Sequence, residues 1–267
     1  MDDIRRKVRE SYANITSQDA SNCCDSTLED ERSARMGYDE DDLGTVPASA
    51  NMGLGCGNPT AIADLQLEET VLDLGSGGGF DCFLAANAVG ADGMVIGIDM
   101  TREMIQRARQ NAASGGYDNV EFRPGEIEDL PVQDNSVDVV ISNCVINVVP
   151  DKRQVFAEVC RVLKPGGRLH VSDIVTDREL PEAIAHNVAA YVGCVAGAVP
   201  KRDYLAAMEE AGLDEIRVVH EEDATALLQG CCQDDENGAG CGATFDETSD
   251  VHIISITVSA VKSHSSV

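Results

Sequence analysis

Val71-Leu72-Asp73-Leu74-Gly75-Ser76-Gly77-Gly78-Gly79 carries an apolar stretch of strand character into a glycine-rich turn, and a helical pattern follows at once from Phe80 to Val89. Glycine lets a backbone approach a ligand closely, because no side chain intervenes. The helix that follows offers unpaired N–H groups and the positive end of its dipole. This layout predicts a nucleotide-like cofactor site at the carboxyl end of a parallel strand. Outward from the turn the chain alternates. Strands are expected at Val71–Leu74, Met94–Ile98, Val120–Arg123, Val137–Ser142 and Arg168–Asp173. Helices are expected at Phe80–Val89, at Thr101–Ser114 with Thr101 as cap, and at Lys152–Leu163, ended by Pro165-Gly166-Gly167. Such alternation implies an α/β fold with a parallel sheet, right-handed crossovers and helices on both faces. Beyond Asp173 the rhythm changes to helices at Pro181–Ala198 and Lys201–Ala211, a strand at Ile216–His220, a polar loop at Gly230–Asp250 and a final strand at Val251–Lys262. The last two strands are expected to pair antiparallel at the sheet edge.

The 267 residues suffice for a sizeable core. No apolar run approaches the ~20 residues needed to span a membrane. The start, Met1-Asp2-Asp3-Ile4-Arg5-Arg6, has no apolar signal region, so a cytoplasmic protein is expected. With 47 acidic against 20 basic residues, the net charge of −27 repels nucleic acid and anionic membrane, and neither is an expected partner. Few of the basic residues are lysine. That composition resembles proteins of salt-rich cytoplasm, where ions confine self-repulsion to a few ångströms. The acidic run from Glu29 to Asp42 reads as a solvated arm. Ten cysteines in such a chain point to metal, metalloid or redox chemistry rather than a disulfide framework. No repeated C-x₂-C pair occurs and the five histidines fall in no ligand spacing, so no metal cofactor is expected.

Asp99 closes the second strand about twenty residues beyond the turn, where an acidic side chain can accept both ribose hydroxyls of a nucleoside. Asp73, just before the turn, would oppose a pyrophosphate. It suits a cation such as the ammonium of S-adenosylmethionine. The run VLDLGSGGGFD resembles the first motif of class I S-adenosylmethionine methyltransferases, and IGIDM the second. Gly125–Pro131 is similar to the third, which flanks the adenine, Ser142-Asn143-Cys144 to the fourth, and Arg161–Leu169 to the turn before strand five. The resemblance implies a Rossmann-like fold with a mostly parallel seven-stranded sheet and a C-terminal α+β extension. It also implies that Asp73, Gly75, Ser76, Gly77, Asp99, Met100, Glu126, Ile127 and Asn143 bind S-adenosyl-L-methionine.

The acceptor is read from cysteines. Cys144 follows the end of strand four, Cys56 lies on the glycine-rich loop before strand one, and Cys194 ends the first helix after Asp173. The topology can bring all three to the carboxyl edge of the sheet. A soft thiolate cluster without histidine or carboxylate prefers a thiophilic centre, and trivalent arsenic takes three sulfurs while keeping a lone pair. Cys82 and Cys160, on apolar helical faces, read as packing residues. The strings GLGCGNP, SNCVINVVPDK and YVGCVAGAVPK resemble microbial arsenite S-adenosylmethionine methyltransferases around Cys56, Cys144 and Cys194. The resemblance implies that Cys144 and Cys194 hold arsenic and that Cys56 ligates it or forms a disulfide. By the same resemblance Cys23 or Cys24 partners Cys56 in redox recycling, Cys231, Cys232 and Cys241 relay electrons or capture arsenic, and thioredoxin or a small thiol resets the enzyme. Arsenite or its thiol conjugate would be the substrate in arsenic detoxification. Three segments follow: an N-terminal helix and cysteine-bearing arm (1–60), the cofactor-binding unit (61–175), and an arsenic-binding region with the last strands (176–267). Two other readings remain open: a methyltransferase of a quinone or sterol-like molecule, which would need an acid–base pair, and a non-enzymatic arsenic binder.

Overall fold

A computed structural model describes residues 6–13, 26–182, 191, 194–224 and 251–264. Its strands are β1 (Thr70–Leu74), β2 (Met94–Asp99), β3 (Val120–Pro124), β4 (Val137–Asn143), β5 (Leu163–Thr176), β6 (Leu213–Asp223) and β7 (Ile253–Lys262). They form one seven-stranded sheet of order β3-β2-β1-β4-β5-β7-β6. The pairs β1–β2, β1–β4, β2–β3 and β4–β5 are parallel. β7 is antiparallel to β6, as expected of the last two strands, and also to β5.

The helices are α1 (residues 6–13), α2 (Ser26–Arg35), α3 (Glu40–Thr45), α4 (Phe80–Val89), α5 (Arg102–Gly115), α6 (Lys152–Val162) and α7 (Lys201–Glu210). Successive strand residues supply opposite faces. Val71, Val95, Val139 and Ile141 bury with Cys82, Phe83 and Val89 of α4 and Ile105 and Ala108 of α5. Leu72, Leu74, Ile98 and Val140 bury with Val155, Phe156 and Val159 of α6 and Tyr204 and Met208 of α7. Both faces of the central strands are thus covered, which is why those strands read as continuous apolar runs.

Four expectations need correction. The acidic run from Glu29 to Asp42 is not a solvated loop: it holds much of α2 and the start of α3, where Asp39 and Asp42 form a reciprocal capping box at 2.8 and 3.2 Å. Thr101 sits at the N-cap of α5 without a side-chain cap bond, because its hydroxyl is drawn to Asp99. Helix α6 stops at Val162, and Pro165-Gly166-Gly167 lies inside β5, where Leu163 already pairs with Val137 ahead of a register shift. Residues 194–197 form a turn, so the helix expected over Pro181–Ala198 does not reach Ala198; most of that span, and the loop at 230–250, lie outside the described residues.

His170 lies in β5 between Ile141 of β4 and Ser259 of β7. Neither ring nitrogen finds a partner among the described residues. Burial, helped by Arg168, lowers its pKa to about 4. The folded chain therefore holds a neutral imidazole while the unfolded chain protonates near 6.5. Stability from this group is present above pH 6.5 and is lost as pH falls towards 4. Between pH 7 and pH 5 that loss is about 2 kcal/mol. His170→Leu should flatten the acid limb by that amount, read from urea midpoints at the two pH values; an unchanged difference would show that His170 does not drive it.

Candidate functional site

The strand order reverses between β1 and β4, so their outgoing loops leave on opposite sides and open a crevice at the carboxyl edge. The loop after β1 is pinned by Gly75 N and Ser76 N, which donate to Ile98 O at 2.8 and 2.9 Å. Gly77, at φ +50°, has open space where a Cβ would sit. Ser76 Oγ is buried without a partner among the described residues. Asp99 accepts from Gly77 N at 3.0 Å and Thr101 N at 2.7 Å. Gly125 N donates to Asp99 O at 3.1 Å, which brings the 125–129 turn alongside. There Ile127 is buried, and Glu126 pairs with Arg9 of α1 at 3.2 Å. Met100 packs partly buried against the main core.

Asp73 lies on the floor of this crevice, almost fully buried. It accepts from the Cys82 thiol at 3.2 Å. Cys82, expected only to fill space, is therefore also a hydrogen-bond donor. Burial, then the charge of Asp81, holds Asp73 well above the usual carboxylate range. A floor of buried carboxylates calls for a cation. An open glycine, an unpartnered hydroxyl, an acid closing β2 and this floor together fit S-adenosylmethionine, whose ammonium and sulfonium supply positive charge.

The three expected cysteines meet at the same edge. Cys56 and Cys144 are joined as a disulfide with Cα atoms 5.5 Å apart. Cys194 is a buried thiol outside that disulfide, and it donates to Cys144 O at 2.8 Å. Cys144 and Cys194 have φ values of +58° and +63°, a region costly for residues with a side chain and often found at functional sites. The Cys56 loop is held from three strands. Asn143 of β4 accepts from Cys56 N at 2.9 Å and donates to Gly57 O at 2.8 Å. Ser255 of β7 donates to Cys56 O at 2.9 Å, and Gly57 sits against Ser172 of β5. The amide of Asn143, expected at the cofactor, is directed at this loop. The pairing of Cys56 with Cys144 also differs from its expected partner, Cys23 or Cys24. Those two, with Cys231, Cys232 and Cys241, lie outside the described residues.

Several residues at this site escape sequence reading. Tyr12 of α1 hydrogen-bonds with Cys194 and lies near Asp99; burial, with those charges, pushes its hydroxyl well above the ordinary range. Val8, one turn earlier, is fully buried in the core cluster of Leu72 and Ile127, so α1 lies over the crevice. The helical spacing of Val8 and Tyr12 was the available signal. Beneath Cys194 is a second buried network. Lys152 donates to Gly197 O at 2.7 Å and Val149 O at 3.3 Å. Asp173 accepts from Asn147 Nδ2 at 2.7 Å, Ile174 N at 2.9 Å and the Tyr204 hydroxyl at 3.1 Å. Gly197 is required there, because a Cβ would overlap the Asn147 carbonyl.

Sheet order, glycine loop and the acid closing β2 define a class I S-adenosylmethionine-dependent methyltransferase fold. A family model described as "Methyltransferase domain" matches residues 65–212. The chain is 47% identical over 240 residues to the arsenite methyltransferase of Halobacterium salinarum, covering 85% of this chain and 61% of that protein. It is 36% identical over 233 residues to the arsenite methyltransferase of Mus musculus, covering 82% and 60%. A crystal structure of an arsenic (III) S-adenosylmethionine methyltransferase from Chlamydomonas reinhardtii matches with a TM-score of 0.67 at 32% identity, over 88% of this chain and 74% of that one. The chain belongs to the methyltransferase-domain family and, within it, to the group that contains the arsenite methyltransferases. It spans about six tenths of the length of those two curated relatives.

Burial lowers the pKa of Lys152 to about 8 and raises that of Asp173 to about 7, and each charge favours the other. Below pH 7 the Asp173 carboxyl takes up a proton and needs the ammonium less. Lys152→Met should therefore destabilise the fold by about 3 kcal/mol at pH 8, where it strands a buried anion, and by less at pH 6. Equal losses at both pH values, read from urea midpoints, would disprove the electrostatic account.

Proposed function

We propose that this chain transfers methyl groups from S-adenosylmethionine to trivalent arsenic held by protein thiols. The observation that carries the reading is the convergence of Cys56, Cys144 and Cys194 over the edge that also bears Asp73, Gly77 and Asp99. Bound at that edge, S-adenosylmethionine supplies an electrophilic methyl group. Asp73, Gly75, Ser76, Gly77, Asp99, Met100, Glu126 and Ile127 hold and orient it, and Asn143 stands between its site and the Cys56 loop. No general base is needed, because the arsenic lone pair is the nucleophile; alignment then supplies most of the acceleration. This separates the reading from a quinone or sterol-like acceptor.

The disulfide has two electrons fewer than the pair of thiols. One equivalent of a dithiol such as thioredoxin, or two of a small thiol, must deliver two electrons and two protons before Cys56 and Cys144 can both ligate arsenic. Cys144 and Cys194 then form the core of the arsenic site with Cys56 as third ligand. Such a reductant is available in a cytoplasm, which is where we place the protein. Among the described residues, no helix is long and apolar enough to cross a membrane.

The test is incubation with arsenite, S-adenosylmethionine and thiol across a range of salt, followed by arsenic speciation. Methylated arsenicals are expected only with reductant. Cys144→Ser and Cys194→Ser should each lower the rate by more than about 100-fold, about 2.7 kcal/mol or more in the barrier, while Cys56→Ser retains methylation of an already methylated arsenical. No methylated product from the folded, reduced chain would refute the reading, and donor-independent arsenite binding alone would favour a simple binder.

A further inference from the structure

Asp81 is the second residue of α4, immediately beyond the glycine loop, and it is buried. Its Oδ1 accepts from the Tyr38 hydroxyl at 2.6 Å and its Oδ2 from Asn143 Nδ2 at 3.4 Å. Asn143 Nδ2 also donates to the Tyr38 hydroxyl at 3.0 Å, which closes a ring of three side chains from α4, β4 and the segment between α2 and α3. Asn143 is the same residue that holds Cys56 N and Gly57 O. On its other side Asp81 acts on Asp73, the floor of the donor crevice. A continuous set of hydrogen bonds and charges thus runs from that floor to the backbone of Cys56. No function assigned so far uses Asp81 or Tyr38.

The charges acting on this set have one sign. Asp73 feels Asp81 and Asp99, and Asp81 feels Asp42. Burial raises Asp81 to about 6 and Asp73 well above the usual range. A cationic donor beside Asp73 supplies the missing positive charge and attracts the Asp73 carboxylate. The first turn of α4 ties that carboxylate to the ring, since Cys82 donates to Asp73 at 3.2 Å while its neighbour Asp81 holds Tyr38 and Asn143. Donor binding therefore fixes this turn, and through Asn143 the Cys56 loop.

We propose that Asp81, acting through Tyr38 and Asn143, is a positioning residue that couples occupation of the methyl-donor crevice to ordering of the Cys56 loop, so that donor and trivalent arsenic each strengthen the binding of the other. The proposal rests on the assignment of the two sites given above. Linkage makes the coupling reciprocal.

The test uses the full chain, reduced, with arsenite and with S-adenosylhomocysteine, which keeps the ammonium and has no methyl group to give. Each ligand is titrated calorimetrically, alone and at saturation of the other. In the wild type each should raise the affinity for the other about fivefold or more, and S-adenosylhomocysteine alone should slow alkylation of Cys56 by iodoacetamide. In Tyr38→Phe and Asp81→Asn both ligands should still bind, with the coupling reduced to less than twofold and the protection of Cys56 lost. Tyr38→Phe preserves the edge contact of the ring with Phe80, whose centroid is 4.9 Å away, so it carries the test if Asp81→Asn does not fold. Wild-type coupling below twofold, or full coupling kept in Tyr38→Phe, overturns the proposal while leaving the arsenic site standing. Failure of the reduced wild type to bind arsenite overturns the arsenic site and the proposal with it.

Discussion

Parallel pairing of β1 with β4 sets the terms for everything else. Leu74 lies beside Ser142 in that register, so the glycine loop and Cys144 leave the sheet from adjacent strand ends. Crossovers of one hand then send the two chains to opposite sides. A crevice results whose two walls carry unlike chemistry: backbone amides and carboxylates on the β1 side, sulfur on the β4 side. The third thiol, Cys194, comes from beyond β5, and the first, Cys56, from before β1. Neither belongs to the sheet. Each must be tied down by side chains of neighbouring elements, and Asn143 of β4, Ser255 of β7 and Lys152 of α6 do this.

The ties are polar because loop backbone laid across strand ends cannot satisfy itself by ladder pairing. Cys56 N and O and the carbonyls of Gly57 and Gly197 each find a side-chain partner instead. Burying so many polar groups is tolerable only when each is satisfied. The consequence is visible in the titrating groups. Asp73, Asp81, Asp99 and Asp173 are all held above the usual carboxylate range, with burial the largest cause in each. A buried anion of this kind is stable when a cation or a proton arrives. For Asp173 the cation is Lys152 within the chain. For Asp73 it is, in the function proposed above, the ammonium of the donor. The same physics therefore serves structure on one wall and ligand recognition on the other.

The order of strands and helices was legible because both faces of β1, β2 and β4 are apolar and the turns between elements hold glycine. The cysteines of the site were legible because each sits in a distinctive glycine-rich or polar string. What local pattern could not show is contact between distant segments. Tyr38 and Asn143 are 105 residues apart and Cys56 and Ser255 are 199 apart, and nothing in the period of either segment reports the other. Composition misled at Glu29–Asp42, where acidity suggested a solvated arm. Ser33 and Tyr38 in that span are buried; Ser33 donates to Asn51 and Asp30 accepts from it, which attaches the span to the chain that leads into the Cys56 loop. Cys82 packs in the core as expected, but its bond to Asp73, like the turn of Thr101 towards Asp99, was not legible: both side chains meet a carboxylate whose need for donors arises only in the folded molecule.

Backbone strain sets two of the three cysteines apart from the third. Cys144 and Cys194 both occupy the left-handed region, at a cost on the order of 1–3 kcal/mol each. Glycine would remove that cost at either position. The fold nevertheless fixes both backbones, with Cys144 N donating to Ser172 O at 2.8 Å and Cys194 N to Tyr191 O at 3.1 Å. Sulfur at two strained turns, with a third sulfur bonded to one of them, is an arrangement in which chemistry outweighs conformational preference. In the function proposed above, the strain falls on the wall that faces the cationic donor, where a soft, electron-rich centre has to be presented to a methyl group.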